Sequence, residues 1–378
     1  MIESDMEERD IDTLQILFLE SFYGGSHKDF ADGLRHHSRH SFDMHCLPAE
    51  TWKRRIRNAA LQMAADIANP QEYHGVLSGG MLSLADLRAL WREKCPPVIL
   101  YAHETQLHYP LQDASTRHDE FYHTDISNML AADAVLFNSH SHYTACMRNA
   151  AEYMERACGT KRLLEDIQKK SKVACPGCWF PSDPVERPER PDGPLCIIWN
   201  HRWEFDKHPE VFLKLLQRLH DAGKDFRLVL LGEGSHNRSR SEILKRFKAQ
   251  IIHAGYLPGR DAYYRMLQRG DVVISTAKQE NFGIAVVEAM YFGCLPLLPD
   301  RLSYPELVPP QLEWKALYEN DEELLERLSL LADAISDPDE QSFLDGQRRL
   351  LSGHMTQYSW QKRAEVFDQL LFDSCSVH

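Results

Sequence analysis

Two glutamates eight residues apart enclose the segment Glu280-Asn281-Phe282-Gly283-Ile284-Ala285-Val286-Val287-Glu288, directly after the apolar run Val272 to Ser275. If a helix opens at Phe282, the amides of Phe282, Gly283 and Ile284 are donors at its positive end, suited to phosphate or sugar oxygens. Gly283 lets a ligand approach the backbone. Glu280 stands ahead of the turn, where it can meet sugar hydroxyls. Glu288 lies about a turn into the helix, where a carboxylate accepts from the vicinal hydroxyls of a ribose. Two surface glutamates spaced by chance would look the same, so the place of the segment after a strand carries weight.

A second group follows the apolar run Leu195 to Trp199: Asn200-His201-Arg202-Trp203-Glu204-Phe205-Asp206-Lys207. Arg202 offers a planar fork and Lys207 a point charge, a pair that suits a diphosphate. Glu204 and Asp206 also permit a plain exposed salt-bridge cluster. Gly232-Glu233-Gly234 and Gly255-Tyr256-Leu257-Pro258 each follow a further apolar run. Singly they are ordinary turns; together Gly232, Glu233, Tyr256 and Leu257 offer two more loops for a nucleotide base and its ribose.

In the first half, Gly24 and Gly25 leave an apolar run toward a helical pattern, giving amides for a diphosphate, with Ser26 and His27 beside them as candidate acceptor contacts. The double glycine is neither a Walker loop nor GxGxxG, so ATP and NAD binding are not supported. Tyr101-Ala102-His103-Glu104-Thr105-Gln106-Leu107-His108 ends another apolar run. His103 is a candidate for contact with a transferred sugar, Glu104 and Gln106 for contact with the acceptor. The spacing is not the HExxH of a zinc protease.

Such loops need elements that bring them together. Leu14 to Glu20 reads as a strand, followed by a helical pattern from Lys28; helices at 52–67, 84–91 and 121–130 then alternate with strands at 74–77, 98–101 and 134–137, with Ser139 as the next helix cap. The alternation resumes with strands at 195–199, 227–231, 251–254 and 272–275 and helices at 210–220, 240–247, 261–268 and 282–292. This predicts an α/β protein of two Rossmann-like, doubly wound parallel-sheet lobes facing across a cleft, with ligands at the carboxyl ends of the strands. The expected divisions are an acidic tail over 1–13, a first lobe over 14–180, a Pro-rich linker over 181–194, a second lobe over 195–354 and a closing segment over 355–378 that holds a helix from Trp360 to Phe372.

A chain of 378 residues is long enough for two cores, and 43% hydrophobic with 26% charged residues is ordinary for globular proteins. No apolar run approaches the ~18 residues of a membrane span, and the acidic first dozen residues do not resemble a signal peptide, so a cytoplasmic protein is expected. The nine cysteines read as reduced thiols; Cys175 and Cys178 lack a second ligand pair, and no metal is expected. The net charge of −13 argues against nucleic acid only on average, because ten acids fall between Glu319 and Asp345 with Arg327 as the one base among them. The helix at 52–67 carries Lys53, Arg54, Arg55 and Arg57, and Lys161 to Lys172 holds five bases against two acids. Both segments lie in the first half, and the helix at 52–67 can meet a phosphate backbone.

The second lobe, through HRWEFDK, LLGEG, GYLP and ENFGIAVVE, resembles glycosyltransferase family 4, a GT-B fold. FYGGSHKDF, LPAETWKRRIRNAALQ and YAHETQLHYP resemble the narrower tRNA-queuosine α-mannosyltransferases, over about Leu14 to Pro309. The resemblance implies a GDP-mannose donor, retention of the α configuration by front-side attack, and the queuosine at the wobble position of aspartate tRNA as acceptor. It implies that His103, Arg202, Lys207 and Glu280 carry the chemistry without a metal, Arg202, Lys207 and the helix amides taking the charge that grows on the leaving diphosphate. Asp337-Pro338-Asp339 has the form of a metal-binding DxD but lies in the acidic stretch. The residues alone leave open a transferase acting on a lipid or small glycan, a nucleotide-sugar epimerase or phosphorylase of the same fold, and a binding module without catalysis.

Overall fold

A computed structural model of the protein describes residues 13–110, 119–181, 193–234 and 237–376. Residues 1–12 of the acidic tail and 182–192 of the Pro-rich linker lie outside the described residues. Two compact units result: of the described residues the first takes those through Tyr109, 119–177 and the chain from Trp360, and the second takes Pro110 and those within Cys178–Ser359.

The first unit holds six parallel strands, β1 (Gln15–Tyr23), β2 (Ser41–Pro48), β3 (Gly75–Gly79), β4 (Val98–Ala102), β5 (Ala134–Phe137) and β6 (Ser171–Val173), in the order β2-β1-β3-β4-β5-β6. Ile16, Leu17, Phe18 and Leu19 of β1 are each at most 1% exposed, which is why an uninterrupted apolar run marks this strand. Ser139 caps helix His140–Cys158 as expected, its hydroxyl accepting from the His142 amide. The edge strands β2 and β6 are not anticipated by the pattern: β2 is only partly buried and mixes polar with apolar residues, and β6 is three residues long. Helix Trp360–Cys375 belongs to this unit, where Trp360 packs against Phe30 and Asp368 accepts from Ser38 and the Arg39 amide.

The second unit holds β7 (Leu195–Trp199), β8 (Phe226–Leu230), β9 (Ile251–Ala254), β10 (Val272–Ile274), β11 (Leu295–Pro299) and β12 (Leu317–Tyr318), all parallel, in the order β12-β11-β10-β7-β8-β9. Its two prolines hide β11 from a reading of the sequence. Pro296 is tolerated because its missing N–H is on the β12 side, where pairing starts only at Leu298. The acidic stretch forms helices Asp321–Ala334 and Pro338–Met355, with Asn320 and Asp337 as caps and further acids in each first turn. There they meet the positive helix ends. Asp337-Pro338-Asp339 is thus a helix start, the Asp337 carboxylate accepting from the Asp339 amide at 3.0 Å. Among the described residues no helix is long and apolar enough to cross a membrane.

Candidate active site

In the second sheet the strand order reverses between β10 and β7, and the loops leaving these two strands carry the predicted groups. They are bonded to each other. The Asp206 carbonyl accepts from the Lys278 amide at 2.7 Å, and the Thr276 hydroxyl donates to the Lys207 carbonyl at 2.9 Å. Lys207 is 8% exposed, and its ammonium meets the Gln279 carbonyl at 2.7 Å, Glu280 Oε2 at 3.2 Å and Asp206 Oδ2 at 3.3 Å. Lys207 and Glu280, assigned by sequence to phosphate and to sugar, are therefore partners of one another. Burial pushes the Lys207 ammonium down, but Glu280 and Asp206 more than offset this and leave it above the ordinary lysine value. Its charge is fixed. Arg202 is exposed, lies 3.3 Å from Glu204, and is near enough to lower the Lys207 ammonium. His201 is buried beneath the loop, which drives its imidazole down to about 3.

Helix Ile284–Tyr291 begins two residues later than the sequence predicts, with Gly283 as its cap at φ 103°. A side chain there would be strained and would crowd Leu307, so the glycine is required. No acid stands in the first turn and no side chain caps it, which leaves this end suited to an anion. Phe282 is buried, its carbonyl accepting from Ser303 at 2.9 Å. Glu288 is partly buried and accepts from the Tyr263 hydroxyl at 3.1 Å. Of the other loops, the Glu233 carbonyl accepts from the Trp203 amide at 3.0 Å and Gly232 lies against the His201 carbonyl, so the loop after β8 braces the one after β7. Tyr256 is 68% exposed, and Leu257 is partly buried.

In the first unit, Gly24 caps helix Gly25–His37, whose first turn likewise holds no acid. Ser26 is exposed, whereas His27 is buried and its Nδ1 lies 3.1 Å from Glu20 Oε2. His103, which follows β4, stacks on His27 at 4.1 Å and approaches the same Glu20 oxygen at 3.7 Å. Glu20 is wholly buried, and its other oxygen accepts from the Phe22 amide at 2.8 Å. It reaches His103 from β1 across β3 because Gly79 has no side chain: a Cβ there would lie 2.5 Å from Glu20 Oε2. Burial, then the neighbouring His27 and His142, hold the His103 imidazole well below its ordinary value, so near neutral pH it is uncharged. Glu104 and Gln106 are partly buried in the same loop.

Among the described residues, Glu20, His27 and His103 form the one group of three whose ligand atoms lie within 4.8 Å of one another. The two rings are only 28° from parallel, so their in-plane lone pairs run side by side instead of converging on a metal ~2 Å away. Sequence reasoning missed Glu20. Its place at the end of a strand leading to a double glycine was the available signal.

The basic helix, Trp52–Asp66, is less uniformly available than its sequence suggests. Arg55 is folded onto the Pro48 carbonyl at 3.0 Å and Glu50 at 3.2 Å, and Arg57 pairs with Glu120 at 2.9 Å. Arg54 is exposed and Lys53 partly so.

Residues 15–178 match the model of the tRNA-queuosine alpha-mannosyltransferase N-terminal region, and residues 185–341 match the glycosyl transferases group 1 model. The chain is 33% identical over 314 residues to a tRNA-queuosine alpha-mannosyltransferase of Drosophila melanogaster, covering 78% of this chain and 82% of that one. A GDP-mannose-dependent alpha-(1-6)-phosphatidylinositol dimannoside mannosyltransferase of Mycobacterium tuberculosis is 32% identical over 109 residues, 29% of this chain and 28% of that one. Among solved structures, sucrose-phosphate synthase from Thermosynechococcus elongatus superposes with a TM-score of 0.69 at 12% identity, covering 96% of this chain and 99% of that one. This shows a shared fold, the GT-B arrangement of two Rossmann-like units. With a glycosyltransferase domain and such a relative, the protein is a hexosyltransferase, and the chain belongs to the tRNA-queuosine alpha-mannosyltransferase family.

Proposed function

We propose that the protein is a cytoplasmic enzyme that transfers mannose from GDP-mannose to the queuosine at the wobble position of aspartate tRNA, with retention of the α configuration and without a metal ion. The observation that carries this reading is the family match across the first unit, the part in which acceptor recognition is expected. The second unit supplies what a nucleotide sugar needs: a ribose carboxylate in Glu288, an uncapped helix end at Gly283 and Ile284, and the cations Arg202 and Lys207.

As the glycosidic bond breaks, negative charge grows on the diphosphate. Lys207 already has its proton and its place, so it answers this charge without reorganisation, and Arg202 adds an exposed guanidinium. Glu280, held by Lys207, accepts from sugar hydroxyls. On the acceptor side, an uncharged His103 makes hydrogen bonds without repelling the positive charge that grows on the sugar. The test is incubation with radiolabelled GDP-mannose and either total tRNA or a lipid extract. Label is expected in tRNA; label in lipid alone would contradict the reading.

A further inference from the structure

The Tyr263 hydroxyl joins three elements of the second unit. It stands on helix Arg260–Leu267, after β9, donates to Glu288 Oε2 at 3.1 Å on helix Ile284–Tyr291, and accepts from Asn200 Nδ2 at 3.1 Å at the end of β7. The Asn200 amide nitrogen is itself tied to the Ala285 carbonyl at 2.6 Å. The amide is thereby oriented, and the phenol has one proton to give and one direction to give it. Asn200 Oδ1 is buried without a hydrogen-bond partner among the described residues, so an acceptor is left beside the network. A buried acceptor of this kind calls for a donor. Desolvation first and the Glu288 charge second hold the phenol well above its ordinary value, so it remains a donor at any working pH.

We propose that Tyr263 is a positioning residue for Glu288, turning one carboxylate oxygen toward itself so that the other is presented to the vicinal hydroxyls of a nucleotide ribose. This rests on the ribose reading of Glu288 given above. A carboxylate that must also orient itself on binding loses part of what its hydrogen bonds provide.

Calorimetry with GDP and 2′-deoxy-GDP on the parent, Tyr263→Phe, Glu288→Ala and the double variant decides the matter. Tyr263→Phe should weaken GDP about 10-fold, the loss of one hydrogen bond to a charged group, while 2′-deoxy-GDP, which keeps one of the two hydroxyls, is weakened less. The double variant should bind no more weakly than Glu288→Ala alone. Asn200→Ala, which keeps the phenol but frees it, should shift GDP in the same direction by less. If Tyr263→Phe binds GDP within twofold of the parent while Glu288→Ala is weakened, or if the two losses add, the inference is overturned and the ribose reading stands. If Glu288→Ala binds GDP as tightly as the parent, the ribose reading falls and this inference with it. A purely structural role for Tyr263 would weaken both nucleotides equally, which also overturns it.

Discussion

At the ends of β7 and β10 the second unit keeps an ammonium between two carboxylates, an exposed guanidinium and an uncapped helix end, whereas at the ends of β1 and β4 the first unit keeps two stacked imidazoles against one buried carboxylate. The first arrangement holds one buried ammonium already in place, which the proposed function matches to a leaving diphosphate. The second, with an uncharged His103, offers directed hydrogen bonds. On the proposed function the two halves of a transfer reaction ask for different things, and this difference between the units is what the following experiments test.

The largest effect that would break this contrast is at Arg202. Arg202→Ala should lower turnover by about 100-fold or more while changing donor affinity less, because charge on the diphosphate peaks in the transition state. Turnover within a few-fold of the parent would remove Arg202 from the account. Next comes Glu20→Gln, which keeps the shape but loses the charge that His27 and His103 face; turnover should fall about 10-fold with GDP affinity unchanged, as expected for a lost charge-assisted bond. A matching loss of GDP affinity would place Glu20 outside the acceptor side.

Acidification separates the units by stability. Burial raises the Asp125 carboxyl of the first unit to about 7, against an ordinary value near 3.8. The folded protein thus holds a proton there that the unfolded chain lacks, a contribution present at low pH and lost as pH rises through about 7. Relative to the parent, Asp125→Asn should forgo about 1.4 kcal/mol per pH unit in the first unit between pH 7 and 5, with the second unit unchanged. Hydrogen exchange resolved by segment reads this; equal pH slopes for variant and parent would contradict it. The smallest effect is at the basic helix, where Lys53→Glu with Arg54→Glu should reduce the log–log salt slope of tRNA binding by about 1 to 2, at ~0.7 to 0.9 per phosphate contact. An unchanged slope in filter binding would exclude this helix from the RNA contact.

The parallel sheets were legible because β7 and the stretch Ile16–Leu19 of β1 are unbroken apolar runs, and β8 is interrupted only by Arg227, with helical patterns between them. β11 was hidden because proline is allowed wherever its own register leaves no ladder bond to make. Of the candidate site, the segment from Glu280 to Glu288 was visible in the sequence because its polar groups are contiguous. The Lys207–Glu280 pair could not, since it joins residues 73 apart and exists only because β7 and β10 are neighbours. Glu20 was hidden at the end of an apolar run, its two imidazoles supplied by the first turn of helix Gly25–His37 and by the loop after β4, and its space by a glycine on a third strand.

The most direct test of the account compares aspartate tRNA carrying queuosine with the same tRNA carrying guanosine at the wobble position, each incubated with the protein, GDP-mannose and excess EDTA. The account predicts α-mannosylated queuosine from the first, nothing from the second, and a rate that EDTA does not alter. Abolition by EDTA with rescue by Mg²⁺ or Mn²⁺, or no transfer to the queuosine-bearing tRNA, would contradict it.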